Sequence, residues 1–264
     1  MCVAVVIPVL DDADMLRACL AALARQTRPP DRIVVVDNGS VDESAAVARA
    51  AGAVVVHEPR RGILPATVRG FDALDDPRGS PLPGVDVLAR IDADSRPDPD
   101  WLARVATAFA DDPELVGLTG PGRFYGGRRI ARVLGERLYL GGYFWSMGLL
   151  LGHPPLFGSN SAVRAAAWPL LRPGLHLDIT GVHDDLDISF RIRPGMRIRF
   201  DPTLAMPISA RPFASVRGLA RRVGWGFGTI WVNVRGGRVL RRRAAIVAAR
   251  NRTCADRGPR STSP

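Results

Sequence analysis

Lysine is absent from all 264 residues, so every one of the 36 basic side chains is arginine, set against 26 acids for a net charge of +10. That absence leaves no lysine-bearing phosphate loop, while the arginines supply forked donors that suit phosphate and carboxylate. Cysteine is scarce: Cys2, Cys19 and Cys254 are too few and too scattered for a disulfide framework, which fits a reducing compartment. No CxxC occurs, so a zinc site is not expected. The four histidines, His57, His153, His176 and His183, are scattered rather than paired at ligand spacing. Long apolar runs are missing too. The most membrane-like stretch, Leu138 to Gly152, is shorter than the ~20 residues a spanning helix needs and rich in glycine, which predicts a buried or interfacial helix. Met1 is followed almost at once by an apolar run with no basic leader, so no signal peptide is expected.

What is present is the composition of a globular chain, 47% hydrophobic and 23% charged. Its first half alternates strand and helix patterns. Val3 to Val9 is a continuous apolar run of strand length. Leu16, Cys19, Leu20 and Leu23 then recur at helical spacing behind Asp14, an acceptable N-cap. Ile33 to Val36 reads as the second strand, Asn38-Gly39 as a turn, and Ser40 with Glu43 has capping-box spacing for a helix through Ala51. Ala53 to Val56 predicts a third strand, about Pro65 to Leu74 a helix, and Val85 to Ile91 a fourth strand after a loop rich in proline and glycine. Asp98 can cap the next helix, whose Leu102, Val105, Ala106 and Phe109 share a face. This alternation predicts an α/β fold with a mostly parallel sheet covered by helices on both faces. Ligands of such sheets lie at the carboxyl ends of the strands, where Asp37 and the Asp92/Asp94 pair fall. As isolated residues these acids also read as loop polar groups, and Asp37 as the head of an Asx turn.

The company these acids keep is more specific. Val5 to Ser44 resembles the opening of family 2 glycosyltransferases, through Ile7-Pro8-Val9, Gln26-Thr27 and Asp37-Asn38-Gly39-Ser40-Val41-Asp42. The likeness continues at Gly62, Ala66 and Gly70, at "IDADSRPDPDWL", at "GSNSAVR" from Gly158 to Arg164, and at "HDDLDISFRI" from His183 to Ile192. Two positions depart from the family pattern: Val68 stands near where an asparagine is often found, and Asp184 stands where glutamate is usual. The Gln-x-x-Arg-Trp motif of processive synthases is also missing, since Trp225 follows Arg221-Arg222-Val223-Gly224.

The resemblance implies a GT-A fold and inverting transfer of a single sugar from a nucleotide-diphosphate donor, a UDP- or GDP-sugar, to an acceptor hydroxyl. It implies a divalent cation, Mg²⁺ or Mn²⁺, on Asp94, with Asp92 lying against the ribose or reaching the metal. Pro8, Val9, Asp37, Gly62 and Asp92 would border the donor, with Asp37 accepting hydrogen bonds from the nucleobase. Asp185 would be the base, beside Asp184, and crowding by Asp184 and Asp187 would raise its pKa. An acidic, solvated helix start is the competing reading of the same residues.

Matched motifs thin out beyond Ile192. Expected boundaries are a glycosyltransferase domain over 1–215 (donor half about 1–120, acceptor half about 121–215), a basic aromatic helical segment over 216–250, and a tail over 251–264. In the basic segment, Arg217, Arg221 and Arg222 lie among Leu219, Val223, Trp225, Phe227, Ile230 and Trp231. Such a segment can hold anionic lipid headgroups at the cytoplasmic face of a membrane, which suits a lipid-linked acceptor, or the diphosphate, or a nucleic acid; the competing reading is a solvated face over packed aromatics, which suits a small-molecule acceptor. A sugar nucleotidyltransferase lacks support without the lysine-bearing loop. A nucleic-acid-binding protein would explain the charge but not the acids at strand ends, so no nucleic acid is expected.

Overall fold

The computed structural model describes residues 1–75, 84–127, 129–211, 216–235 and 238–256. The first strand, β1 (Val3–Val9), is buried along its whole length. Its alternate side chains explain why the run is continuously apolar. Val3, Val5, Ile7 and Val9 enter a core on one face of the sheet, and Ala4 and Val6 enter a second core on the other.

The first core is covered by α1 (Ala13–Ala24), α2 (Ser44–Ala50) and α4 (Trp101–Ala110), through Leu16, Leu23, Ala48, Trp101 and Phe109 among others. The second is covered by α3 (Ile63–Asp75), α7 (Trp168–Leu171) and α8 (Asp184–Ser189), through Leu64, Phe71, Trp168 and Ile188. Gly70 lets α3 lie against the sheet: a Cβ there would fall 2.4 Å from a methyl of Val6 and 2.9 Å from one of Val36. Alanine at 70 would push helix and sheet apart.

Strands β2 (Arg32–Asp37), β3 (Val54–His57) and β4 (Val87–Arg90) run parallel to β1. With β5 (Leu115–Thr119), β7 (Ser161–Arg164) and β8 (Arg197–Phe200) they complete a seven-stranded sheet in the order β3-β2-β1-β4-β7-β5-β8. Only β7 is antiparallel to its neighbours. A small parallel pair, β6 (Gly122–Tyr125) with β9 (Met206–Ser209), stands apart. The strand order reverses between β1 and β4, so a crevice opens beyond the carboxyl ends of those two strands.

Several local expectations are corrected. The fourth strand is shorter than Val85 to Ile91, and α3 begins two residues before Pro65. Asp98 does not cap α4, because its carboxylate faces Arg123 at 3.4 Å. The side-chain oxygen of Gln26 accepts from the Leu102 amide instead, and its Nε2 donates to the Asp98 carbonyl, so the Gln26-Thr27 turn clamps the start of α4 from outside. Asp14 pairs with Arg17 rather than capping α1, whose N-cap position is Asp12. Ser40 accepts from the Asp11 amide, and the carboxylate that meets the first turn of α2 is Asp42, on the Ser44 amide.

In the second half, α5 (Arg129–Leu134) passes through a π-helical segment, Gly135–Leu140, into α6 (Gly141–Leu151), so Leu138 to Gly152 belongs to a longer helical rod. Helices α9 (Val216–Val234) and α10 (Arg238–Asp256) follow, and α9 packs on α8 while α10 packs on α6. The last residues of the expected tail, 257–264, lie outside the described residues.

Candidate active site

The chain from β4 into the crevice carries Arg90, Asp92 and Asp94. Strand pairing stops at Arg90, and the acids sit in a turn closed by the Ser95 amide on the Asp92 carbonyl, 3.0 Å. Their placement therefore comes from the turn and not from strand alternation, as the spacing alone suggested.

Arg90 was not singled out by sequence, yet it links both walls of the crevice. Its side chain is 3% exposed, with Nη1 2.6 Å from Asp92 Oδ1 and Nη2 3.0 Å from Asp184 Oδ2. Its Nε has no acceptor among the described residues. Burial pulls its pKa down, but the carboxylates of Asp184, Asp92 and Asp185 outweigh that and raise it. A signal for it was present: an arginine on a strand that is otherwise Val-Leu-Ala needs buried counter-charges.

The two acids after Arg90 have opposite environments. Asp92 is held by Arg90 on one oxygen and by the Ser159 hydroxyl on the other. Burial pushes its pKa up, yet Arg90, Ser159 and the nearby charge of Arg222 bring it below the usual carboxylate range. Among the described residues the nearest donor to the Asp94 carboxylate is Arg211, at 3.6 Å. Burial, with Asp92 adding to it, pushes Asp94 up to about 7. Arg211 arrives from the loop after β9, 199 residues away in sequence from the Asp12 carboxylate on which it is anchored. No local pattern points to it.

Beyond β2, Asp37 uses Oδ1 to accept the Ser40 amide at 2.8 Å, the Asx turn that the sequence allowed, and its Oδ2 lies 3.9 Å from His57 Nδ1. Asn38 ties the loops together. Its amide donates to the carbonyls of Glu58 and Arg60, and its oxygen accepts the Gly62 amide at 2.8 Å. Pro8 and Val9 pair with Val36 and Asp37, so Pro8, Val9, Asp37 and Gly62 form one end of the crevice.

The opposite wall is the start of α8. Asp184 is buried, accepting from the Thr67 hydroxyl at 2.6 Å and facing Arg90, so it points into the fold. Asp185 accepts the Gly158 amide at 2.8 Å and the Leu186 amide at 2.7 Å. Its pKa is raised, by burial first and Asp184 next, against His183, the Gly158 amide and Arg90. Asp187 does not contribute the expected crowding, because it turns away to His176, Arg191 and Asn233. Gly158 is where the walls meet. A Cβ there would stand 2.7 Å from Arg90 Nη1 and 3.3 Å from Asp185 Oδ2. Asn160 accepts from the Trp101 indole at 2.9 Å and fixes this loop to α4.

The histidines hold structure: His176 is on Asp187, His153 on the Pro154 carbonyl, and His183 on the Arg222 carbonyl, edge-on to Trp225. Among the described residues no three His, Cys, Asp or Glu side chains converge to hold a metal alone. The donor set still fits a hard cation bound by one or two carboxylates and completed by substrate phosphates. Asp94 is the carboxylate left open for it, since both oxygens of Asp92 are engaged.

A model of the family described as glycosyl transferase family 2 matches residues 4–167. The chain is 31% identical over 124 residues to glycosyltransferase AglE of Haloferax volcanii, which is 44% of this chain and 38% of that protein. It is 36% identical over 114 residues to the uncharacterized glycosyltransferase Rv0539 of Mycobacterium tuberculosis, 43% of this chain and 46% of that one. The aligned part thus spans less than half the length of these relatives. Among solved structures, mannosyltransferase PcManGT from Pyrobaculum calidifontis, in complex with GDP-Man and Mn²⁺, superposes with a TM-score of 0.68 at 20% identity, over 94% of this chain and 68% of that chain. Glucosyl-3-phosphoglycerate synthase from Mycobacterium tuberculosis, with Mn²⁺, UDP-Glc and phosphoglyceric acid, gives 0.58 at 20% identity, over 88% and 79%. The likeness to these two structures is one of fold, the GT-A arrangement.

Proposed function

The chain belongs to glycosyl transferase family 2, and from that membership we propose that it moves a single sugar, with inversion, from a nucleotide-diphosphate sugar to an acceptor hydroxyl. One observation carries the reading: adjacent residues Gly158 and Ser159 each hold one acid of the two walls. The Gly158 amide donates to Asp185 and the Ser159 hydroxyl to Asp92, while Arg90 stands between them. On this reading, donor side and acceptor side are held within one residue of backbone.

The chemistry follows from which oxygens are free. On the acceptor wall Asp184 is buried against Thr67 and Arg90, so Asp185, only partly buried, is the carboxylate of the two that an acceptor can reach, and each of its oxygens keeps a lone pair beyond its one amide contact. A raised pKa suits it to take the proton from an acceptor hydroxyl. As that O–H bond breaks, the oxygen forms its bond to the anomeric carbon from one face, and the bond to the diphosphate breaks on the other. With one displacement and no carboxylate nucleophile, the configuration inverts. Bound at Asp94, Mg²⁺ or Mn²⁺ would neutralise the leaving diphosphate. Arg211 beside Asp94 and Arg222, whose charge reaches Asp92 and Asp94, supply fixed positive charge to the same region. The Asp37, Asn38 and Gly62 end would receive the nucleoside.

The test is a screen of UDP- and GDP-sugars with Mn²⁺, by thermal shift and then by release of nucleoside diphosphate. A donor should both stabilise the protein and be consumed, and Asp94→Asn should abolish metal-assisted binding. Consumption at full rate in excess chelator would overturn the metal assignment, and no stabilisation by any nucleotide sugar would overturn the donor class.

A further inference from the structure

The helical rod over 129–151 turns a continuous apolar stripe to solvent. Ile130, Leu134, Leu138, Trp145 and Leu149, at intervals of four or seven residues, are between 51% and 73% exposed. On α9 a second stripe, Val223, Phe227 and Trp231, is also exposed, and Leu240 on α10 is 70% exposed. Helices α6, α8 and α10 meet through Leu151, Leu186, Phe190 and Val239, with Ile230 and Val234 of α9 against them, so both stripes belong to one packed helical layer.

Charge is segregated onto the same layer. Residues 129–151 and 216–256 contain thirteen arginines and only Glu136 and Asp256, an imbalance as large as the +10 of the whole chain. Elsewhere among the described residues ten arginines have a carboxylate partner, including Arg28 with Asp31, Arg60 with Glu58, Arg172 with Asp72 and Arg197 with Asp112 and Glu114. Among the described residues Arg129, Arg132, Arg137 and Arg217 have no carboxylate partner, and Arg221 and Arg235 lie over Trp225 and Trp231. Glu136 is spent on the Phe124 amide.

We propose that this layer is a seat for an anionic lipid bilayer, with the apolar stripe of 129–151 entering the headgroup boundary and the unpaired guanidiniums meeting lipid phosphates. Amphipathic helices that lie in the interface combine these two features. A second copy of the chain is a poor occupant, because a two-fold contact would press two strongly basic faces together. A nucleic acid would leave the apolar stripe uncovered. No helix among the described residues is long and apolar enough to cross a membrane, so the contact is lateral.

The seat adjoins the acceptor wall. Tyr139 and Tyr143 lie on the buried side of the same rod, where the Asp185 charge acts on both, and the Tyr143 hydroxyl donates to the Leu156 carbonyl just before Gly158. One helix diameter, ~10 Å, therefore separates the stripe from the proposed base. Given the glycosyl-transfer reading above, on which this clause rests, the acceptor hydroxyl is carried on a lipid that reaches the crevice from the bilayer.

Flotation of the full chain with phosphatidylglycerol/phosphatidylcholine vesicles, and with phosphatidylcholine alone, tests the surface directly. Binding should need phosphatidylglycerol and weaken several-fold between 0.05 and 0.5 M salt, as the screening length falls from about 14 to about 4 Å. Arg129→Gln/Arg132→Gln/Arg137→Gln should lower it on the order of 10²-fold, three guanidiniums at ~1 kcal/mol each. Leu138→Ser/Trp145→Ser/Leu149→Ser should lose it even at low salt. Thermal melts within a few degrees of the parent's, and donor hydrolysis in detergent at the parent's rate, would show the variants folded. No flotation with phosphatidylglycerol at low salt overturns the proposal, as does parental binding by both variants, or lipid-independent self-association abolished by the serine variant. Flotation without any sugar transfer would leave the surface standing and remove the glycosyl-transfer reading instead.

Discussion

Arg90→Met should unfold the chain at markedly lower denaturant than the parent protein. The guanidinium and Asp184 are each 3% exposed and 3.0 Å apart. Its removal leaves Asp184 buried with the Thr67 hydroxyl as its remaining partner among the described residues. Stripping one member from a buried pair costs about 3–5 kcal/mol. Asp92 adds little to that figure, because its side chain is 31% exposed and keeps the Ser159 hydroxyl, so water takes over from Arg90. Spread over a chain of this size, the loss corresponds to a drop in Tm of roughly 6–20 °C, at about 2–4 °C per kcal/mol. The assay is urea unfolding followed by circular dichroism for the single variants and for Arg90→Met/Asp184→Asn. The double variant should recover most of the loss, since a neutral amide can still accept from Thr67. Arg90→Lys should keep part of the stability but lose turnover, because an ammonium cannot span Asp92 and Asp184 at once. A cost below about 1 kcal/mol for Arg90→Met, or no recovery in the double variant, would refute the idea that a buried charge is being left alone.

In metal-free protein Asp94 sits at about 7 against its ordinary 3.8. Between those values the folded chain holds one more proton than the unfolded chain, so stability falls as pH rises through ~4 to 7 and is level above. Asp94→Asn should flatten that fall and remove the Mn²⁺-dependent rise in Tm, and equal slopes for both proteins in chelator from pH 4.5 to 8 would refute it. Asp185→Asn should keep donor affinity and lose turnover by ~10²- to 10⁴-fold. Because the raised Asp185 pKa marks the form that must be deprotonated, kcat/KM should fall on the acid side at a pH above the ordinary carboxylate value, which a pH–rate profile checks. Gly158→Ala places a methyl 2.7 Å from Arg90 Nη1, so it should depress turnover more than donor affinity, as kcat and KM measured separately will show.

Periodicity made the first half of the fold legible, because β1 and α1 bury side chains at regular intervals and those intervals are visible in the residues. It failed where a distant group intervenes. Asp98 has the chemistry of a cap, but its carboxylate faces Arg123, and Gln26, 76 residues from Leu102 in sequence, accepts the amide of the first turn instead. The antiparallel strand β7 wedges between β4 and β5 through a pairing that no local pattern encodes. Within the site, Asp37, Asp92, Asp94 and Asp185 were readable as a constellation because the motif company around them is specific. Arg211 is anchored across 199 residues and left no trace in sequence order. Arg90 was hidden by its position, as the leading residue of a motif whose acids draw the eye, although a lone charge on a buried strand is itself a signal.

The Gly158-Ser159 dipeptide also bears on how acceptor preference can change without rebuilding the enzyme. Consecutive Cα atoms are ~3.8 Å apart, and this single step of chain sets the span between the Asp185 and Asp92 clamps. Chimeras that exchange residues after Ile192 while retaining 158–160 would inherit the spacing between base and leaving group intact. On the proposed chemistry, a graft that shifts the register of these two residues would lose the alignment of the Asp185 and Asp92 clamps however well its acceptor pocket was chosen.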